Sequence, residues 1–223
     1  MKPADVHWLL ELMVIDPVPL AWILPAFNGQ HTNSPPIPGY GPPDYAHLLI
    51  WAIKEGLIQL TSGDHFLTLE SAENTVTRFE QLSPRNNGEG IGVRMTDKGG
   101  KAWESLAEPQ WDRFFKFALT YLNTDPDDLR ILGLLASRNR DAVMAYLGWY
   151  ERLESIDVHW DTLRIVIEPE YEATYWKRLT DVHEATFNGI RQRLDRTIPP
   201  LVFDWKISLG NWHAKPWDRA DWG

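Results

Sequence analysis

The chain has 223 residues, 12% of them aromatic, with 12 Trp, 16 Pro and no Cys. That much apolar surface excludes a chain that stays unfolded, and the length allows one large core or two modest ones. Without Cys there are no disulfides, thiolate metal sites or thiol nucleophiles, and 22 cations against 31 acids leave a net charge of -9 that works against nucleic acid and anionic membranes.

The first predicted element is a helix from Pro3 to about Val14, with Val6, Leu9, Leu10 and Met13 on one face. Asp16-Pro17-Val18-Pro19 stops it. The apolar run from Trp8 to Leu24 is interrupted by Glu11, Asp16, Pro17 and Pro19, so it does not read as a membrane span. It also lacks the cationic start and small-residue cleavage site of an export signal, and a cytoplasmic protein is expected. A short apolar piece, Leu20 to Phe27, leads into Asn28-Gly29. Residues 34–43 hold five Pro and two Gly and read as an extended strap.

Asp44 is the expected N-cap of a second helix through Leu48, Leu49, Ala52 and Ile53, closing at Gly56. Leu57–Leu60 and Phe66–Leu69 read as strands around Ser62-Gly63-Asp64, with a helical insertion from Asn74 to Leu82. Pro84 to Gly90 is a loop tip, Gly92–Met95 a strand, and Thr96 or Asp97 caps a helix to about Ala107. In the second half, helices are predicted from Pro109 through Phe114, Phe117, Ala118 and Tyr121, from Asp125-Pro126 through Leu129, Leu132 and Leu135, and from Asn139 through Val143, Tyr146, Leu147 and Tyr150. Leu163–Ile167 reads as a strand. Tyr171, Tyr175, Leu179, Val182, Thr186, Ile190 and Leu194 recur at a helical spacing, Leu201–Ile207 is a last strand candidate, and a Trp-studded tail ends the chain.

Two pieces of residues 44–107 resemble a winged helix-turn-helix domain of the MarR and PadR type. Leu48-Leu49-Ile50-Trp51-Ala52-Ile53-Lys54-Glu55-Gly56-Leu57-Ile58 looks like that family's helix-to-strand passage. Val93-Arg94-Met95-Thr96-Asp97-Lys98-Gly99-Gly100-Lys101-Ala102-Trp103 looks like its last wing strand running into a helix. The resemblance implies a DNA-binding regulator, with Arg85, Arg94 and Lys98 as the nucleic-acid contacts. Charge opposes that use. The same stretch holds six Lys or Arg and nine Asp or Glu, a balance of -3, and a major-groove reader needs several phosphate contacts.

Other chemistry is weakly announced. Glu168, Glu170 and Glu172 alternate and fit either a metal or acid/base pair or, more simply, the acidic start of a helix. The seven His residues form no His-x-x-x-His pattern, and there is no phosphate loop, dinucleotide glycine pattern or Gly-x-Ser-x-Gly elbow, so neither metal nor cofactor is expected. An enzyme built around His159 and His183 with nearby carboxylates stays open. Trp205, Trp212, Trp217 and Trp222 crowd the last stretch and either fold back over the body or present anchors to a partner.

The expected protein is therefore α+β: residues 1–107 form a winged-helix-like half with an N-terminal helix and Pro-rich strap, and residues 108–223 form a helical half with a small antiparallel sheet and Trp-rich tail. The leading expectation for function is a non-enzymatic protein-binding module of the acidic immunity or antitoxin kind, with those four Trp as anchors. The alternative is the winged-helix transcription regulator.

Overall fold

A computed structural model of the chain describes residues 1–23, 35–79, 90–123, 129–153, 156–191 and 212–216. The fold is α+β with antiparallel sheets, in two compact units. The first comprises Met1–Pro109, Thr174–Lys177 and the chain from His213; the second comprises Gln110–Ala173 and Arg178–Trp212. Among the described residues no helix is long and apolar enough to cross a membrane.

The first unit opens with helix α1 (Pro3–Glu11), started by a proline in its first turn, which buries Val6, Trp8, Leu9 and Leu10. Strand β1 (Val18–Pro19) and the single turn α2 (Leu20–Ile23) follow. The described part of the Pro-rich strap is tied down at three points. Trp8 Nε1 donates to Pro35 O (2.7 Å), Ile37 N donates to the Tyr45 hydroxyl (2.8 Å), and the Tyr40 hydroxyl donates to Asp5 (2.7 Å). Helix α3 (Pro42–Lys54) starts three residues earlier than expected. Gly41 is its N-cap, and Asp44 sits inside the first turn, accepting from Gly41 N at 2.7 Å.

After α3 come β2 (Ile58–Ser62), β3 (His65–Phe66), helix α4 (Leu69–Phe79), β4 (Ile91–Met95) and helix α5 (Asp97–Ala107). The strands form one antiparallel sheet in the order β1-β4-β2-β3. Thr96 caps α5: its Oγ1 accepts from Gly99 N (3.0 Å) and donates to Gly56 O (2.7 Å), tying the helix start to the end of α3. Gly99 is dictated by that closeness, since a Cβ there would lie 2.0 Å from Leu57 O.

The second unit departs from the helical half expected. Only one of its predicted helices forms, α6 (Arg140–Leu153), capped by Asn139 Oδ1 accepting from Asp141 N (3.0 Å) and Ala142 N (3.2 Å). The segment read as a helix through Tyr121 is a short 3₁₀ turn (Trp111–Arg113) and strand β5 (Phe115–Tyr121), and the one read as a helix through Leu135 is strand β6 (Arg130–Ser137). The predicted strand at Leu163–Ile167 belongs to a longer one, β7 (Ile156–Glu168). The helical reading of residues 171–194 also fails: the chain forms β8 (Tyr171–Thr174), β9 (Lys177–Leu179) and β10 (Val182–Arg191), the last turn made at Asp181 with a left-handed φ of 56°.

The large sheet runs β5-β6-β10-β7, all antiparallel. Helix α6 lies on one face, where Val143 and Leu147 pack with Ile131, Leu135, Ala185, Phe187, Ile156 and Val158. Phe187 covers Gly133, where a Cβ would meet its ring at 2.2 Å. Between Thr186 and Asn188 of β10 the facing residues jump from Arg164 to His159, so Trp160–Leu163 bulge out of β7. Thr162 Oγ1 closes the bulge, donating to His159 O (2.7 Å) and accepting from Asn188 N (2.9 Å).

Candidate functional site

Of the four tail tryptophans, Trp205, Trp217 and Trp222 lie outside the described residues, as do Arg85 and the strand candidate Leu201–Ile207. Trp212 is turned onto its own chain. It is 7% exposed, its ring centroid is 4.9 Å from Trp111 and 5.2 Å from Phe114, and its carbonyl accepts from Gln110 N. That indole packs as core and offers no anchor. Arg94, on β4, lays its guanidinium over Phe66 (5.5 Å) and Tyr175 (5.1 Å). Burial outweighs this cation and lifts the Tyr175 hydroxyl to about 12. Lys98, in the first turn of α5, donates to Glu55 O (2.5 Å), with the Glu55 carboxylate 4.0 Å away. Of the three cations nominated for DNA, the two that are described, Arg94 and Lys98, each contact their own chain.

A buried ion cluster in the first unit went unnoticed in the sequence. Glu11, at the end of α1, receives Trp103 Nε1 (2.9 Å), His213 Nε2 (2.8 Å) and the Lys215 ammonium, with His7 3.9 Å away. Burial alone would raise its carboxyl, but the hydrogen bonds and charges of His213 and Lys215 hold it below the ordinary glutamate range. The signal was present: a carboxylate between Leu10 and Leu12, at the end of a helix with an apolar face, must find partners. The carboxylate is held by the chain's own donors, so the cluster holds structure together.

His183, one of the two histidines considered for catalysis, opens into a cleft of about 470 Å³ at the start of α6. Asp112, Asp141 and Asp181 line it with Arg138 and Arg140, and the Arg138 guanidinium donates to Asp112 at 2.7 Å. His159 stands elsewhere, opposite Asn188 on β7. Ser137 faces His183 across the β6–β10 ladder, but it is 2% exposed and its hydroxyl accepts from Asn139 N. The groups that line the cleft can move a proton or hold an ion, and none of the lining residues carries a hydroxyl. The three glutamates do not begin a helix as expected: Glu168 ends β7, Glu170 pairs with Arg178 at 3.4 Å, and Glu172 lies on β8. Among the described residues no three His, Asp or Glu side chains converge as metal ligands.

The outer edge of β7 is an open surface of the second unit. Val166 is 48% exposed and Ile167 62%, adjacent residues that point to opposite faces of a strand with no neighbour on its outer side among the described residues. The bulge at Trp160–Leu163 limits this edge upstream and Pro169 limits it downstream. Trp160, also exposed, is held in the bulge by Nε1 donating to Glu151 (2.9 Å). β-Branched residues bounded by Pro169 located the strand, but they could not show that β7 would be an edge, because that depends on sheet order. Compared with protein-family models, curated protein sequences and solved structures, the chain matches none.

Proposed function

We propose that this chain is a protein-binding module that offers the outer edge of β7 for strand addition by a protein partner. The observation that carries this is the exposure of Val166 and Ile167 on a strand edge that has no neighbour among the described residues. Backbone groups on such an edge give affinity, and apolar side chains on both faces give the added strand something to pack against. An immunity-like or regulatory role is a use of such a module, and the partner sets which. The helix-to-strand passage at Gly56 and the capped helix at Thr96 support reading the first unit as a winged-helix-like scaffold. The engagement of Arg94 by Phe66 and Tyr175, and of Lys98 by Glu55, supports a scaffold that does not read DNA.

The test compares the full chain with an Ile167→Lys variant as bait in extracts of the source cell, alongside anisotropy titrations with mixed DNA at low salt. A stoichiometric protein retained by the wild type and lost with the variant is the expected result. Equal recovery by both baits overturns the proposal, and so does tight, salt-sensitive DNA binding that Arg85→Ala with Arg94→Ala abolishes.

A further inference from the structure

We infer that the strand received by β7 is the same strand of a second copy of this chain, running antiparallel and centred on Val166. This deepens the proposed function and rests on β7 being a docking edge. The accessible stretch is short and sharply bounded. Upstream the bulge at Trp160–Leu163 breaks the ladder, and downstream Pro169 has no N–H to give, so Arg164-Ile165-Val166-Ile167-Glu168 is the straight part of the edge. Those five residues have a particular symmetry. The apolar pattern reads the same in both directions about Val166, while the charge changes sign from Arg164 to Glu168.

A two-fold axis through Val166 uses both properties together. Arg164 then faces Glu168 of the partner subunit, Ile165 faces Ile167 of the partner subunit, and Val166 faces itself; the axis generates the mirror set of pairs. Opposite charges and apolar pairs directly across an antiparallel ladder each stabilise it, so the stretch is complementary to its own reverse. Among the described residues neither Arg164 nor Glu168 makes an ion pair within the chain, so both are free to be spent across the axis. Any other antiparallel centre within the five loses at least one of the two charge pairs. The product is one eight-stranded sheet continuous across two copies. Two chains of charge -9 repel at long range, and the paired stretch is short, so the dimer is weak and concentration-dependent.

Sedimentation velocity on the full chain across a wide concentration range gives the first readout, with a monomer–dimer equilibrium expected. Arg164→Glu and Glu168→Arg each place like charges opposite one another at two points per dimer and weaken it by about tenfold or more, and the double swap restores it. All of these positions lie on an edge strand, so the variants fold, which far-ultraviolet dichroism verifies. The chain has no Cys, which makes a register test available. Val166→Cys puts two thiols on directly opposed residues within disulfide reach, whereas Arg164→Cys puts them about 13 Å apart, so mild oxidation links the first and not the second.

A wild type that stays monomeric at every concentration overturns the inference. So does a charge swap that fails to rescue, or oxidation that links both Cys variants alike. A monomeric chain that still retains another protein through Ile167 in the bait experiment would remove the second copy as the partner and leave the docking edge standing. A monomeric chain whose recovered proteins ignore Ile167→Lys would remove both.

Discussion

The side chains of Glu11 and His213, 202 positions apart in sequence, meet at 2.8 Å inside the first unit. Helix α1 and residues 213–215 are thereby joined through one carboxylate that is 4% exposed. Trp103, itself fully buried, donates to the other oxygen and stands edge-on to the His213 ring at 5.0 Å. A carboxylate in such a place is stable only while its donors stay, so the cluster fixes where residues 213–215 must lie.

Removing the charge tests that. Glu11→Gln keeps the size of the side chain but faces the same donors with an amide, taking the Glu11 charge away from His213 and the Lys215 ammonium. Breaking a buried pair by removing one partner costs about 3 kcal/mol, and urea unfolding followed by Trp fluorescence should show that loss. A loss below about 1 kcal/mol would place the cluster with surface ion pairs, which contribute little. Glu11→Leu combined with Lys215→Leu should recover much of the stability, because an apolar filling of similar size carries no stranded charge.

The same carboxyl gives a pH dependence of known sign. Its folded pKa lies below the ordinary value of 4.5 taken for the unfolded chain. Its contribution is therefore complete above about pH 4.5 and is lost as the pH falls through the folded value, where the unfolded chain binds the extra proton first. Other carboxylates titrate in the same range, so the informative quantity is the difference in urea midpoint between wild type and Glu11→Gln. That difference should be full at about pH 5 to 6 and shrink in more acidic buffer. A difference that grows on acidification would contradict the lowered pKa.

How far the sequence spoke for itself depended on whether the deciding interactions were local. Helices α1, α3, α5 and α6 were legible because prolines, Thr96, Asn139 and Gly56 mark their ends regardless of what packs on them. Strands β5 and β6 were not, because Phe114, Phe117, Ala118 and Tyr121 fit a helical spacing as well as Phe115, Phe117, Leu119 and Tyr121 fit a strand. Pairing decided it: Phe117 opposite Leu135 and Leu119 opposite Gly133 build the face on which α6 sits. The helical spacing from Tyr171 to Leu194 ran across the turn at Asp181, which one-dimensional periodicity cannot detect. The Glu11 cluster and the β7 edge both depend on residues far apart in sequence, so composition could suggest a buried acid but could not name its partners.

Where α5 starts, two neighbouring residues should fail for different reasons. Thr96→Ala removes both the cap to Gly99 N and the bond to Gly56 O, at a cost of about 1 to 2 kcal/mol. Gly99→Ala keeps every polar contact but drives a methyl into Leu57 O and Met95, and should cost about 2 to 3 kcal/mol through displaced backbone. Lys101→Ala, exposed on the same helix, is the control and should change little. Thermal unfolding of the three variants ranks them, and a Gly99→Ala protein as stable as the control would show that the α3–α5 junction can open without penalty.

Arg94 separates the two uses of the first unit most directly. If it were a phosphate contact, Arg94→Ala would leave stability unchanged, weaken DNA binding across all sequences, and reduce the salt slope by about one. The geometry gives the opposite expectation, because the guanidinium lies over the rings of Phe66 and Tyr175 and its removal strips cover from both. Each such contact is worth about 0.5 to 1 kcal/mol, so Arg94→Ala should lower the unfolding midpoint measurably. Arg94→Lys should recover part of the loss, since an ammonium keeps the charge over the rings but not the flat stacking surface. Neither variant should alter retention on mixed DNA at low salt, because the wild type is itself expected to show no tight, salt-sensitive binding. A full-stability Arg94→Ala protein that had lost DNA binding would turn the first unit back into a reader of nucleic acid.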